Sequence, residues 1–346
     1  MQASQSTNED RILRSIMFGE QQLTSDVAPN CLYKSYISLT EGNFKQSLNQ
    51  INTCPICRSI NKHVNYYYCK RIAASSYMWM GEYDSAHKEI EKILNLSKKL
   101  TELGLDLHSL ESLSNYLNNT RVEKKEKIHL SKNIIGEFVF KGFIIDTGSI
   151  FNAQNRNCVE KIANSEVYFI TGDAEKFDIC DDAEMRVPYI LYPKNIIGLI
   201  HTSSYKHVIL DELSPSIDKI KLNFDFDTIF FKAKTDFDND IVNACVDTGS
   251  LTSSVNFKFF RKHHVRFKNI ETITINSSNN HGELKSRGKI LKSLKIKFGN
   301  SSFEFVNIPM FIDRTPWFHC DITVGRDLIS SLFKEIDFNE QFIEIK

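Results

Sequence analysis

The pattern of hydrophobic positions divides the chain into a helical first third and a β-rich remainder. From about Asn8 to Asn119, apolar residues recur at spacings of three and four, and no proline occurs after Pro55 in this stretch. From Ile134 onward, short runs of Ile, Val, Phe and Tyr alternate with clusters of Asn, Asp, Ser and Gly, which is typical of consecutive short strands. The sequence therefore predicts a multidomain chain of class α plus β, with an all-α N-terminal domain and a mainly-β C-terminal domain.

A polar, charged stretch separates these two parts. Residues 118–132 read NNTRVEKKEKIHLSK, a composition that is typical of a domain boundary. We therefore predict that the helical domain occupies residues 1–125 and that the β-rich part begins at residue 126.

Two segments of the helical part share one pattern. Gly42–Leu48 and Gly81–His87 begin 39 residues apart (81 minus 42), and each has a glycine, an aromatic residue two positions on and a small residue three positions later. This pattern resembles the helix-turn-helix unit of tetratricopeptide repeats, whose period is about 34 residues. The extra residues here would lie in the loop Asn52–Lys62. A generic helical bundle is the alternative.

A second repeat lies in the β-rich part. Phe143–Ser149 reads FIIDTGS and Ala244–Ser250 reads ACVDTGS, 101 residues later (247 minus 146). Each copy is followed by an apolar run with a glycine, at Asn195–Leu199 and at Asp321–Arg326. A single Asp-Thr-Gly is a common turn, because Asp and Gly favour turns on backbone grounds alone. Two copies in the same order of elements indicate a duplicated lobe.

The duplicated motif resembles that of the pepsin and retropepsin superfamily of aspartic peptidases. The resemblance implies a bilobal acid protease barrel, with lobe 1 over residues 126–217 and a retropepsin-like lobe 2 over residues 218–346. It also implies that Asp146 and Asp247 are the catalytic pair, one from each lobe. The residues that would support the two catalytic loops are Thr147, Gly148, Ser149, Thr248, Gly249 and Ser250.

In such a pair, the two carboxylates cannot both ionise cheaply at close range, so they share one proton. The ionised member takes a proton from a bound water, while the protonated member donates to the substrate carbonyl. This chemistry needs no metal, cofactor or covalent intermediate. A hydroxyl of Ser149 or Ser250 that donates to a carboxylate would lower the apparent pKa of the pair. Secreted members of the superfamily carry Ser or Thr there, whereas retroviral members usually carry Ala.

A flap that closes over the substrate is the remaining expected part. The hairpin Val167–Asp173 is the first candidate, with Tyr168, Thr171 and a flexible tip at Gly172. The second lobe has an analogous hairpin near Asn279–Gly282.

The amino-acid composition limits the classes of molecule that the chain is expected to bind. Lysine plus arginine and aspartate plus glutamate both number 43, so net charge favours neither nucleic acid nor an anionic membrane. The first twenty residues lack the apolar core of a signal peptide, and no apolar run approaches the length of a membrane span. We therefore expect a protein or peptide substrate, no nucleic acid and no membrane.

The eight cysteines are scattered along the chain, which favours reduced thiols and a cytoplasmic location. Cys54 and Cys57, with His63 and Cys69, offer enough ligands for zinc. Two free cysteines in a repeat-domain loop are the preferred interpretation.

Together these features predict an aspartic endopeptidase whose helical domain recruits the substrate or a protein partner. The alternative is a non-catalytic interaction protein that uses its helices and carries an idle protease-like β domain.

Overall fold

The computed structural model describes most of the helical part, isolated strands between residues 125 and 200, and nearly all of the chain after residue 205. The described ranges are 30–59, 63–102, 125–132, 138–140, 143–145, 153–154, 198–200, 205–226, 228–237, 239–250, 252–279, 282–313 and 320–346, with six positions between 107 and 117. The chain divides into two compact units. One comprises Met1–Asn118 with Phe224–Phe226, and the other comprises Asn119–Asn223 with Asp227–Lys346.

The first unit is helical, as the hydrophobic spacing predicted. Its described helices are α1 (Asn30–Thr40), α2 (Phe44–Thr53), α3 (His63–Met80), α4 (Tyr83–Leu94) and α5 (Ser97–Glu102), with a 3-10 turn at Pro55–Arg58. Helix α4 shows why the segment folds this way, because its buried residues recur every three or four positions along one face: Tyr83, Ala86, Ile90 and Ile93.

The repeated glycines of the helical unit end two helices in the same way. Gly42 and Gly81 have φ of 80° and 79°, a left-handed conformation that glycine adopts without a steric penalty. Gly42 N–H donates to Leu39 O, and Gly81 N–H donates to Met78 O. The following residue in each case donates to the carbonyl five positions before it. The pattern shared by the two segments is therefore a repeated helix cap of the Schellman type.

The small residue of the first segment permits a close helix contact. Ser35 Oγ on α1 donates to Ser47 O on α2, and Ser47 Oγ donates to Ser35 O, both at 2.9 Å. Both side chains are fully buried, as is Ala86 at the matching position of the second segment. A larger side chain at Ser47 would separate α1 from α2.

The expectation of reduced thiols is wrong for the described cysteines. Disulfides join Cys31 to Cys54, Cys57 to Cys69 and Cys245 to Cys320. Cys54 and Cys57 are close in sequence but bond to different partners. Cys54, directly before the Pro55–Arg58 turn, is bonded to α1, and Cys57, within the turn, is bonded to α3. Sulfurs held in disulfides are not thiolates, so this state of the loop does not fit the zinc alternative.

The second unit is rich in β-strands, and this confirms the predicted class of α plus β. The described strands of its first half are β1 (Lys125–His129), β2 (Ser131–Lys132), β3 (Phe138–Phe140), β4 (Phe143–Ile145), β5 (Ala153–Gln154), β6 (Gly198–Ile200) and β7 (Tyr205–Ile209). Strands β2, β3, β4, β6 and β5 form one sheet in that order.

The later strands are β8 (Asp218–Lys221), β9 (Asn223–Asp225), β10 (Thr228–Thr235), β11 (Ile241–Val246), β12 (Ser254–Val255), β13 (Ile273–Asn279), β14 (Gly282–Phe298), β15 (Ser301–Phe311), β16 (Ile322–Val324), β17 (Phe333–Asp337) and β18 (Phe342–Ile345). They include the two longest of the described strands, β14 and β15. Two short helices accompany them, α6 (Phe257–His263) and α7 (Arg326–Leu332). The main sheet has the order β13-β14-β15-β12-β16-β11-β10-β9.

A further sheet joins strands that are distant in sequence. Its order is β1-β7-β17-β18-β8. The chain-end hairpin of β17 and β18 therefore lies between β7 and β8, and β7 also pairs in parallel with β1. The core beside it is aromatic: the Phe231 ring packs edge-on against Phe298 and Phe333, with centroids 5.3 and 5.9 Å away. In the part of the chain that the structure describes, no helix has the length and apolarity to cross a membrane.

Candidate active site

Asp247 lies directly after strand β11, at the point where that strand leaves the sheet. Strand β11 pairs in parallel with β16, and Val246 stands opposite Val324. The Asp247 N–H extends this pairing by donating to Val324 O at 2.9 Å. Its position is therefore set by a buried strand pair, because Val246 and Val324 are almost fully buried.

The loop backbone holds the Asp247 carboxylate. Gly249 N–H and Ser250 N–H each donate to Asp247 Oδ1 at 3.0 Å. Donors aimed at one oxygen stabilise negative charge there and fix the orientation of the carboxylate. The side chain is nearly buried, at 9% exposure, and the neighbouring Thr248 is fully buried. The arrangement provides one oriented carboxylate that can act as an acid or a base.

The hydroxyl of Ser250 does not have the role that the sequence suggested. It donates to Thr252 O at 2.9 Å, and the contact to the Asp247 carboxylate comes from the Ser250 backbone N–H instead. The physical reason is the tight turn, which places this N–H within reach of Oδ1 and directs the hydroxyl towards the carbonyl two residues on. The expected hydroxyl contribution to the carboxylate is therefore corrected for the second loop.

The segment Gly325–Asp327 supports this loop from the far side. Arg326 N–H donates to Ser250 O at 2.9 Å, and the Arg326 side chain is buried. A Cβ on Gly325 would lie 2.5 Å from the carbonyl carbon of Thr252 and 2.8 Å from Ser253 N. Because those atoms are backbone, the loop and this segment approach closely only with glycine here.

Ser253 is a supporting residue that the motif did not identify. Its N–H and its hydroxyl both donate to the Asp327 carboxylate, and its Oγ accepts from Gly325 N–H at 2.9 Å. Ser253 lies six residues after Asp247 in a serine-rich run. Nothing in this local sequence indicates that it contacts Gly325-Arg326-Asp327.

A buried disulfide joins strand β11 to the segment that leads into β16. Cys245 stands two residues before Asp247 on β11, and Cys320 stands two residues before β16. Both are buried and form a small apolar cluster with Phe230. The sequence could not identify this bond, since 75 residues separate the two cysteines.

The strand before the first motif has a matching partner. Strand β4 ends at Ile145, directly before Asp146, and pairs in parallel with β6. Asp146 itself, with Thr147, Gly148 and Ser149, lies outside the described residues. The registers differ in one respect. Ile145 stands opposite Ile200, so Gly198 opens its strand, whereas Gly325 follows its strand. The two glycines of the repeated pattern are therefore not equivalent in position.

The two flap candidates also differ in how far the structure describes them. Tyr168, Thr171 and Gly172 lie outside the described residues. The hairpin of the second half is confirmed, because β13 and β14 pair antiparallel up to Asn279 opposite Gly282.

Comparison with known proteins gives little beyond this geometry. No family model and no curated protein matches the sequence. A retropepsin-like aspartic protease from Rickettsia conorii is 20% identical with a TM-score of 0.26, over 37% of this chain and 88% of that chain. Protein Lpg0085 of unknown function (DUF785) from Legionella pneumophila is 20% identical with a TM-score of 0.18, over 29% of this chain and 82% of that chain.

Proposed function

We propose that this chain is an aspartic endopeptidase with a bilobal, pepsin- and retropepsin-like β unit. One observation carries the proposal. Both Asp-Thr-Gly-Ser motifs directly follow a strand that pairs in parallel with a later strand, β4 with β6 and β11 with β16. A chance turn sequence would not occur twice at the end of such a strand pair.

In the proposed mechanism, Asp146 and Asp247 hold one water between them. One carboxylate takes a proton from the water as it attacks the scissile carbonyl, and the other gives its proton to the carbonyl oxygen. The Gly249 and Ser250 N–H groups keep Asp247 Oδ1 oriented towards this water. By the repeat, we propose the same role for Gly148 and Ser149 towards Asp146, and a bracing role between the two loops for Thr147 and Thr248.

The helical unit is proposed to resemble tetratricopeptide repeats and to recruit the substrate or a protein partner. Two helix hairpins with the same glycine cap support the repeat.

The expected cytoplasmic location rested on a first segment without a signal-peptide pattern and on reduced thiols, and the disulfides remove the second of these supports. Disulfides form and persist in oxidising compartments. The three described disulfides therefore favour an oxidising compartment. Such a location also agrees with Ser149 and Ser250, the residue type of the secreted members.

The test is peptide-library cleavage between about pH 3 and 8, with pepstatin as inhibitor. Asp146→Asn and Asp247→Asn should each abolish turnover, and the double variant should be no worse than either, because the pair acts as one unit.

Asp337→Asn is a matched control. Asp337 Oδ1 accepts from the N–H groups two and three residues on, Asn339 and Glu340, just as Asp247 Oδ1 does. This control should keep full activity. Ordinary cleavage by either Asn variant of the pair would reject the mechanism and favour the non-catalytic interaction protein.

A further inference from the structure

Three residues from the middle of the chain, Phe224–Phe226, belong to the helical unit, although Phe224 and Asp225 also lie in strand β9 at the end of the main sheet. The Phe224 side chain is fully buried. Its ring packs edge-on against Phe44 and Trp79, with centroids 5.1 and 4.9 Å away. The helices therefore surround an aromatic side chain that enters from more than a hundred residues away along the chain.

The Phe226 ring occupies a second aromatic position. Tyr36 and Tyr68 contact it at centroid distances of 5.9 and 6.4 Å, and the Arg71 guanidinium lies 5.4 Å from its centroid. Phe226 also has φ of 47°, which is uncommon for an aromatic residue and persists where surrounding contacts hold it.

Polar contacts recognise the segment between the two rings. Trp79 Nε1 donates to Phe226 O at 2.6 Å, and the Tyr36 hydroxyl donates to Asp225 Oδ1 at 3.1 Å. Burial, with Asp225 nearby, holds the pKa of Tyr36 well above its usual range, so the phenol remains a neutral donor. The helices thus contact both rings, the carboxylate and a main-chain carbonyl.

We infer that the helical unit carries a binding site for a short aromatic-acidic-aromatic peptide, and that residues 224–226 of the same chain fill this site. The aromatic pockets select the two rings, and the Tyr36 hydroxyl selects an acidic residue between them. Contacts to main chain and side chains together are typical of peptide recognition.

The consequence concerns any partner of the helical unit. A tethered segment competes at a high effective concentration, of about millimolar order for short connections. A peptide with the same motif in another protein binds this face when residues 224–226 have left it. Recruitment through this face therefore requires release of the chain's own segment.

The test uses the full chain with Phe224→Ala and Phe226→Ala together, which empties both ring positions. A labelled synthetic peptide with the sequence of residues 222–228 is titrated by fluorescence anisotropy. The double variant should bind it at least roughly tenfold more tightly than the unmodified chain, because the tethered competitor is lost. A peptide with both phenylalanines replaced by alanine should not bind.

Phe303→Ala with Phe305→Ala is the control. These two rings pack against each other in the β unit, with centroids 5.1 Å apart, and their removal leaves residues 224–226 in the site. Equal binding by the double variant, the control and the unmodified chain would overturn the inference. So would absence of binding by a double variant that keeps its helical circular dichroism.

A second measurement applies if the double variant does not fold. Asp225→Asn in the otherwise unmodified chain should accelerate hydrogen exchange in α1 and α3, because the Tyr36 hydroxyl loses a charged acceptor. Tyr36→Phe should do the same, and Tyr33→Phe on the same helix should not. Unchanged exchange in both Asp225→Asn and Tyr36→Phe would overturn the inference.

Discussion

Ser253 donates three hydrogen bonds to Asp327, two from its backbone N–H at 3.0 Å to each carboxylate oxygen and one from its hydroxyl at 2.6 Å. Ser253 is buried, and Asp327 lies in the first turn of α7. The carboxylate therefore ties the segment after the Asp247 loop to the helix that follows β16.

Asp327→Ala should destabilise the protein by about 2 kcal/mol, because two buried donors lose their acceptor. Turnover should fall as well, since Ser253 also accepts from Gly325 N–H. Asp327→Asn keeps one oxygen acceptor and should lose less. Denaturant unfolding and peptide cleavage on the same samples check both effects. Equal stability of the alanine variant and the parent would contradict this role.

The sequence predicted the parts of this site that depend on residues close together in the chain, and not those that depend on residues far apart. The strand before Asp247 and its turn follow from a local motif, and the structure has both. Ser250 was correctly predicted to donate to the Asp247 carboxylate, but through its hydroxyl and not through its backbone N–H. A sequence motif does not determine which of these two groups reaches the carboxylate. Ser253 with Asp327, and Cys245 with Cys320, join residues more than seventy positions apart. Such pairs depend on strand order in the sheet, which local patterns do not determine.

Ser250→Ala should leave the pH dependence of turnover almost unchanged. Its hydroxyl donates to Thr252 O, and the two N–H donors to Asp247 Oδ1 remain in the variant. The measurement is the pH profile of kcat/KM between about pH 3 and 8. An upward shift of both limbs would instead support a direct hydrogen bond from the hydroxyl to the catalytic pair.

Stability at acidic pH should depend on Asp211. Hydrogen bonds from Lys346, at 2.7 Å, and from Ser214 hold the pKa of Asp211 well below its usual range. A lowered pKa means that the folded state gains stability above the ordinary value of about 4, and loses it as the pH falls further.

Asp211→Asn should therefore reduce the free energy of unfolding at neutral pH. The free energy of unfolding should also fall less steeply in the variant than in the parent as the pH is lowered. Urea midpoints measured from about pH 2 to 6 check this prediction. The comparison variant is Asp236→Asn, whose exposed carboxylate accepts from the Lys295 N–H of β14. A parallel acid decline in the parent and in Asp211→Asn would argue against the ion pair.

The Cys245–Cys320 disulfide beside the Asp247 loop should stabilise the β unit more than the Cys57–Cys69 bond stabilises the helical unit. The bonds close separations of 75 and 12 residues. Chain entropy then gives about 4 and about 3 kcal/mol respectively.

Cys245→Ala with Cys320→Ala should also lower turnover, because Cys245 stands two residues before Asp247. Cys57→Ala with Cys69→Ala should leave cleavage of short peptides unchanged. Calorimetry and peptide cleavage distinguish the two pairs, and equal activity losses would contradict a specific role for the bond beside the loop.

Gly325 should tolerate no side chain. Its φ is −92°, so backbone conformation does not demand glycine, and the reason is space alone. An added Cβ would lie 2.5 Å from Thr252 C and 2.7 Å from Thr252 O, and backbone atoms cannot rotate away as a side chain can. Gly325→Ala must therefore displace the segment that follows the catalytic loop. Gly299→Ala is the control: the φ of 53° and the clash of an added Cβ with the Asp218 carboxylate make it destabilising at a turn away from the loop. Both variants should melt earlier than the parent, but Gly325→Ala alone should lower kcat per folded molecule. Active-site titration with pepstatin, followed by cleavage assays below the melting range, separates these effects. Equal kcat values for Gly325→Ala and the parent would show that the loop absorbs the displacement without moving Asp247.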